Sequence, residues 1–395
     1  MQDSAVNTGV RRIRVGVDAC NLVSHRTGVG NYIYDIILPL CEAHEDVDWF
    51  LYSNGSIQFP QFPNVVQREN VGKWRGVFWQ NFELRREMRR DRIDAYWGAN
   101  GFIPVFGMGK IGSVLTIYDL VHHFSPKTQV PLVRWSRRLF QPISAWRADI
   151  VTCISDATAS DASRIYHIDN TVTVRPNIGK AFALPSAAAI DQVRQKYDLP
   201  ESYIFLVGTL EPRKNVPAFL ESVSQCCKDG FDLPMIVHAG GSGWLDDEIK
   251  SLVETAENAG MMKRLGYVPN EYLPALYGAC TVFCMPSTYE GYGMPLTEAQ
   301  LCGAPVMHGN HPAMCEASGG LGIAFEPSIH GMRLALEELS SGKIGIACRL
   351  PSDIFNAHLD GSVLIWQAIT DAIASKNNAK LTAMRDNVGR STAIN

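Results

Sequence analysis

Short apolar runs that end in polar or glycine-containing loops, each followed by a stretch of helical period, recur along the whole chain. That alternation points to βαβ units wound about parallel sheets. In the first half the runs predict strands over Ile13–Asp18, Trp49–Tyr52, Ala95–Trp97, Ser113–Tyr118, Ile150–Cys153 and Thr171–Val174. In the second they predict strands over Tyr203–Val207, Met235–Ala239, Lys263–Leu265, Val282–Met285 and Pro305–His308. Residues 183–202 mix Pro, Ser and Ala around a short helix, as a linker does. With 395 residues there is enough chain for two full cores. The expected organisation is a first Rossmann-like domain over 1–185, a linker over 186–202, a second Rossmann-like domain over 203–360, and a helical tail over 361–395 that packs back on the first. Two doubly wound α/β domains in tandem turn the carboxyl ends of their strands toward a shared cleft, where such folds bind ligands.

Composition narrows the function classes. The formal charge is −4, which gives no reason to expect a nucleic-acid partner. The charge is unevenly spread: residues 1–190 carry 21 Lys and Arg against 17 Asp and Glu, leaving 15 against 23 for the rest. The basic half therefore suits an anionic neighbour. Ten cysteines are scattered with no CxxC, the usage of a reduced cytoplasmic protein rather than of a zinc or disulfide framework. The first residues lack an apolar signal-like core, and no apolar run has the length of a spanning helix. The expected location is the cytoplasm, with peripheral contact at the cytoplasmic face of the inner membrane.

The segment VFCMPSTYEGYGMPLTEAQLCGAPVM from Val282 carries the most chemistry. An apolar strand leads to a loop with Gly291 and Gly293, then Pro295 at a helix start and a second apolar strand. Glycines there let a ligand approach the backbone, and the first amides of the helix, those of Met294 and Leu296 among them, point along a positive dipole that suits a phosphate. Glu290 and Glu298 flank the turn, the second in the first helical turn, so both face one bound molecule and accept hydrogen bonds from its hydroxyls.

Glu290 to Glu298, EGYGMPLTE, resembles the Glu-x7-Glu signature with a G-[FY]-G-x-P core of the retaining family 4 glycosyltransferases of GT-B fold. The resemblance runs over nearly the whole chain. It implies two Rossmann-like domains facing across a cleft, the first binding an acceptor and the second a nucleotide diphosphate sugar. It places Glu290 toward the donor sugar and Glu298 on the ribose, with Gly291, Tyr292, Gly293, Met294, Pro295 and Leu296 lining the donor. It implies no cofactor and no bound metal.

Further motifs fit it. LVGTLEPRKN at 206–215 ends a strand at Gly208 and then presents Arg213 and Lys214. Such a pair is a solvated turn or, at the carboxyl edge of a sheet, a cation pair for a diphosphate. The resemblance gives Lys214, with Arg213, the leaving diphosphate, and leaves Glu211 and Asn215 to shape the turn. RTGVGNY at 26–32 carries Gly28 and Gly30, which the family places over the donor phosphate. A dinucleotide fingerprint would continue to a third small residue where Ile33 stands, and would end the next strand with an acid where Tyr52 and Ser53 stand. TIYDLVHH has Tyr118 where many relatives have a sugar-contacting His, which leaves Asp119 and His122 as substitutes. Tyr267 and Val268 are expected beside the nucleotide base. Ser155 and Asp156 read first as a helix N-cap.

Metal readings do not hold. His308, His311 and Glu316 mimic ligands at a turn, but the stretch matches a family segment in which Cys315 here replaces a proline before Glu316. Asp46-Val47-Asp48 precedes an early strand, the wrong place for a metal motif. Residues 73–92 hold seven Lys and Arg with Trp74, Phe78 and Phe82 at helical spacing, and 134–147 add four arginines and two tryptophans without an acid. These stripes are either the core side of domain helices or a surface for anionic lipid. A polyprenyl-diphosphate-linked saccharide as acceptor accounts for both aromatics and charge. TGVGNY, TIYDLVH and GTLEPRKN look most like bacterial mannosyltransferases that use GDP-mannose in exopolysaccharide or O-antigen assembly. UDP-sugar donors, a non-catalytic GT-B binding subunit and, more distantly, a dehydrogenase are the alternatives.

Overall fold

The computed structural model describes residues 11–392 apart from 25, 75, 107, 126–130, 180, 242–246 and 343–360. Among the described residues, two all-parallel sheets follow one another in the chain. The first has the order β3-β2-β1-β4-β5-β6-β7, with β1 Ile13–Asp18, β2 Val47–Tyr52, β3 Val65–Arg68, β4 Ala95–Gly98, β5 Gly112–Ile117, β6 Ile150–Cys153 and β7 Thr171–Thr173. The second has the order β10-β9-β8-β11-β12-β13, with β8 Tyr203–Val207, β9 Met235–Ala239, β10 Met262–Gly266, β11 Val282–Met285, β12 Val306–Gly309 and β13 Ile323–Phe325. Helices cover both faces, so the central strands are buried throughout: every residue of β4, β5 and β11 is buried.

The strand order reverses between β1 and β4 in the first sheet and between β8 and β11 in the second. Loops diverge to opposite sides at such a point and leave a crevice beyond the strand ends. The helix Gly361–Thr392 returns across the molecule and packs on β4, β5 and β6 and on the helix Gly28–Ala43. An added Cβ on Gly112 would lie 2.8 Å from the Ala372 backbone, so this glycine lets the returning helix touch the sheet. Trp366 stacks on His44 at 4.1 Å, and Ser362 donates to the Ile36 carbonyl.

The aromatic segment folds differently from its helical-wheel reading. A π-helical stretch, Trp79–Leu84, interrupts the helix around it, and the extra residue in that turn shifts the inward face to Trp79, Leu84 and Met88, all buried. Phe78 and Phe82 are 63% and 61% exposed, and Trp74 packs edge-on against both. On the helix Pro131–Arg147, Trp135 and Trp146 also face outward, while Gln141 and Ser144 are buried.

Candidate active site

In the second domain, β8 is followed by Gly208, whose φ of +124° favours glycine. A short 3₁₀ turn, Pro212–Lys214, follows and carries the cation pair. β11 feeds the loop that holds Glu290, which closes at Gly293 (φ +117°) before the helix Met294–Leu301. These two loops meet through ionic contacts. Glu290 lies 2.6 Å from Arg213 Nη1 and 2.7 Å from Lys214 Nζ, and accepts a hydrogen bond from Ser287 Oγ at 2.8 Å. Arg213 also pairs with Glu211 at 3.0 Å. Burial alone would raise the Glu290 carboxyl, but Lys214 and then Arg213 outweigh it and hold it at about 2. Burial pushes the Lys214 ammonium below its ordinary value despite Glu290. The result is a desolvated carboxylate shared by two cations, at the carboxyl end of a sheet.

The first domain closes over this cluster. Tyr118 and Asp119 follow β5, and Thr27 and Gly28 open the helix Gly28–Ala43. With the β8 and β11 loops they bound a cavity of about 360 Å³. An added Cβ on Gly291 would sit 1.9 Å from the Tyr118 carbonyl oxygen, so only glycine permits this approach. Ser155 and Thr158 both donate to the Gly291 carbonyl, at 2.6 and 2.9 Å, and the Leu120 amide donates to the Tyr289 hydroxyl. Glu316 reaches across to accept from the Asp156 amide at 2.9 Å and to pair with Arg175 at 2.8 Å. It thereby caps the helix Asp156–Tyr166 from the other domain.

Of the residues singled out in the sequence, Gly28, Asp119, Gly208, Arg213, Lys214, Glu290, Gly291, Tyr292, Gly293, Met294 and Pro295 line this cavity. Six do not. His122 is fully buried in the first domain, its Nε2 3.0 Å from the Tyr166 hydroxyl, and burial lowers its pKa to about 3. It is a core histidine rather than a cleft one. Gly30 is buried beneath the loop, where a Cβ would lie 2.5 Å from the Asn21 carbonyl oxygen. Leu296 turns its side chain into the core, and its amide donates to Gly293 O at 2.9 Å, which corrects the expectation that this amide is free for an anion. Tyr267 and Val268 follow β10 beyond the lining, Tyr267 exposed and Val268 buried. Glu298 stands in the second helical turn rather than the first, accepts from the Tyr277 hydroxyl at 3.0 Å, and is raised by burial to about 7. It keeps part of its surface open.

The cavity also takes in Thr27, Tyr32, Ile154, Pro176, Thr209 and Glu211, which sequence reasoning missed or assigned to turns. For Ile154, Pro176, Thr209 and Glu211 the signal was position, since each follows a strand end within a few residues, whereas Thr27 and Tyr32 come from the start of the helix Gly28–Ala43. His308 engages Gly309 O through Nδ1 and Ser318 through Nε2, and His311 caps the helix Pro312–Ala317.

Residues 26–178 match the family Glycosyltransferase Family 4, and residues 189–330 match Glycosyl transferases group 1. O-antigen chain mannosyltransferase B of Escherichia coli is 30% identical over 325 residues, covering 76% of this chain and 84% of its own. The serotype-specific mannosyltransferase WbdA of Escherichia coli is 28% identical over 202 residues, which is 49% of this chain and 24% of that longer protein. Among solved structures, sucrose-phosphate synthase from Thermosynechococcus elongatus superposes with a TM-score of 0.65 at 15% identity, over 96% of this chain and all of that one. The shared architecture is the GT-B fold.

Proposed function

We propose, from the premise that this chain belongs to the family 4 glycosyltransferases of GT-B fold, that it transfers mannose from GDP-mannose to a lipid-linked saccharide with the α configuration kept. The reading is carried by Glu290 bound between Arg213 and Lys214 at the β8 and β11 ends. Mannose as the sugar is supported by the name of the Escherichia coli relative that covers most of both chains. That relative also supports a place in O-antigen or exopolysaccharide assembly.

In the reaction, the bond between the sugar's C1 and the diphosphate oxygen breaks, and a bond from C1 to the acceptor oxygen forms on the same face. The acceptor proton passes to the departing phosphate. Negative charge grows on the diphosphate, so preorganised cations in a water-poor cleft lower the barrier. Arg213 and Lys214 supply that charge. Glu290 holds both cations in place before the donor arrives and faces the sugar afterwards; Gly28 and the Met294 amide lie along the phosphate path, Glu298 takes the ribose, and Asp119 borders the sugar.

The lipid-linked acceptor is supported by Trp74, Phe78 and Phe82, all exposed, in a segment that runs on into the exposed Arg86, Arg89 and Arg90. Aromatic rings at headgroup depth with arginines on phosphates form a peripheral membrane contact. Among the described residues no helix is long and apolar enough to cross a membrane.

The test is thermal stability with GDP, UDP, ADP and NAD, followed by transfer assays on extracted lipid. A ligand at about 100 times its Kd adds roughly 2.7 kcal/mol. Selective stabilisation by GDP and mannose transfer into the lipid fraction are expected. Selective stabilisation by UDP overturns the donor, and stabilisation by NAD alone overturns the enzyme class.

A further inference from the structure

A second cavity, of about 520 Å³, opens between the domains on the far side of the wall that bounds the donor site. The wall is the contact between the β5 loop and the β11 loop: Leu120 N–H to the Tyr289 hydroxyl at 3.1 Å, and Gly291 against the Tyr118 carbonyl. Residues of one loop therefore serve opposite sides. Glu290 lines the donor cavity while Tyr289 lines this one, and Asp119 lines the donor cavity while Phe124 lines this one.

The second cavity has the chemistry of a sugar site. Phe124 is 43% exposed and stacks on the buried Tyr289 at 4.9 Å, and Tyr289 in turn meets His311 edge-on at 4.7 Å. This rigid aromatic stack offers an apolar surface to the C–H face of a pyranose. Around it stand the hydroxyls of Ser160 and Thr288, the Asp161 carboxylate and the His311 ring. Asp161 is paired with Arg164 at 2.8 Å, and His311 accepts from the Ala313 amide through Nδ1, which leaves its proton on Nε2. The lining thus offers both donors and acceptors around an apolar floor, with its carboxylate already compensated. Such a set fits a neutral polyhydroxylated ligand better than an anion or a lipid chain.

We propose that this cavity binds the acceptor saccharide at sugar units remote from the reacting hydroxyl, so that the enzyme grips a chain and not only its last sugar. The proposal rests on the reading of the neighbouring cleft as a glycosyl-transfer site. Both domains contribute side chains, so the saccharide also bridges them and favours the closed arrangement.

The experiment is calorimetric titration of a panel of neutral α-linked mannose, glucose and galactose trisaccharides, with GDP titrated in parallel. The proteins are the wild type, Ser160→Trp, which fills the cavity from an exposed position, and Phe124→Ala. At least one trisaccharide binds the wild type. Its affinity falls about ten-fold or more, equal to ~1.4 kcal/mol, in both variants, while GDP affinity stays that of the wild type and certifies that they fold. The proposal is overturned if no trisaccharide binds the wild type, or if both variants bind it undiminished. Trisaccharide binding that the variants lose, in a protein that binds no nucleotide, sinks the donor reading and leaves this site standing.

Discussion

Replacing Glu290 by Gln keeps the side chain's shape and removes the charge on which the cluster turns. The carboxyl drops from 4.5 to about 2 on folding, which at ~1.4 kcal/mol per unit corresponds to ~3 kcal/mol of stability. Because the folded pKa is the depressed one, that stability is fully present above about pH 4.5 and is lost as pH falls toward 2. Removing one partner of a buried ion cluster also leaves the other charges uncompensated, a loss of ~3–5 kcal/mol. Urea unfolding at pH 7 should therefore find Glu290→Gln less stable by that amount. At pH 3 the difference should shrink to less than about half, since the wild type has lost most of its advantage there. GDP should restore stability more in the variant than in the wild type, because the diphosphate supplies the negative charge that Arg213 and Lys214 lose with Glu290. A variant as stable as the wild type at pH 7, or a deficit unchanged at pH 3, would refute the account of Glu290 as their counterion.

Lys214→Ala should lower kcat by on the order of 100-fold, as loss of one charge-stabilising contact does, and single-turnover kinetics would expose a smaller effect. Glu298 titrates the other way: its carboxyl is raised to about 7, so its contribution is present below about pH 4.5 and lost as pH rises through 7. Glu298→Gln should then be more stable to urea than the wild type at pH 8, by on the order of 2 kcal/mol after allowing for its partial exposure, and no more stable than the wild type at pH 4. The same variant should bind GDP more weakly; calorimetry showing unchanged affinity would remove the ribose role. Gly291→Ala places a methyl where the Tyr118 carbonyl stands, so small-angle scattering should report a more open molecule, and an unchanged radius of gyration would contradict the contact. Changing Trp74, Phe78 and Phe82 together to Ser should reduce sedimentation with anionic vesicles at low salt; equal sedimentation would show that the patch serves something else.

The sheets were legible in the sequence to the degree that their strands are buried. β1, β6, β8, β9 and β11 read as apolar runs with the observed ends because both faces of each strand are covered. β3 and β13 escaped the reading. Both are edge strands with few buried positions, and Val65–Arg68 carries Gln67 and Arg68 on a half-solvated surface. Glu290, Arg213 and Lys214 were legible as types at strand ends, but their ion pairing was not, because it joins loops 76 residues apart. His122 misled for the same reason in reverse. Its loop position suggested the cleft, and only packing shows it turned toward Tyr166. The aromatic stripe at 74–82 has helical spacing, yet the π turn assigns burial to Trp79 and Leu84 instead, a change that side-chain period alone does not encode.

Gly291 joins the site to the contact between the domains. Its absent side chain reads in the sequence as room for a ligand, but in the structure the space is filled by the first domain's own Tyr118 carbonyl. Its carbonyl is held by Ser155 and Thr158, and the preceding Tyr289 is held by Leu120. The loop that carries Glu290 is thus also the surface on which the domains meet. Any opening of the cleft would have to break those contacts, and with them the hold on the loop that fixes Glu290 between its two cations. A donor that engages Arg213 and Lys214 and an acceptor that spans the two domains would each favour the same closed state. By linkage each would then tighten the other's binding, and hydrolysis of the donor by water would be slowest where the acceptor is already in place.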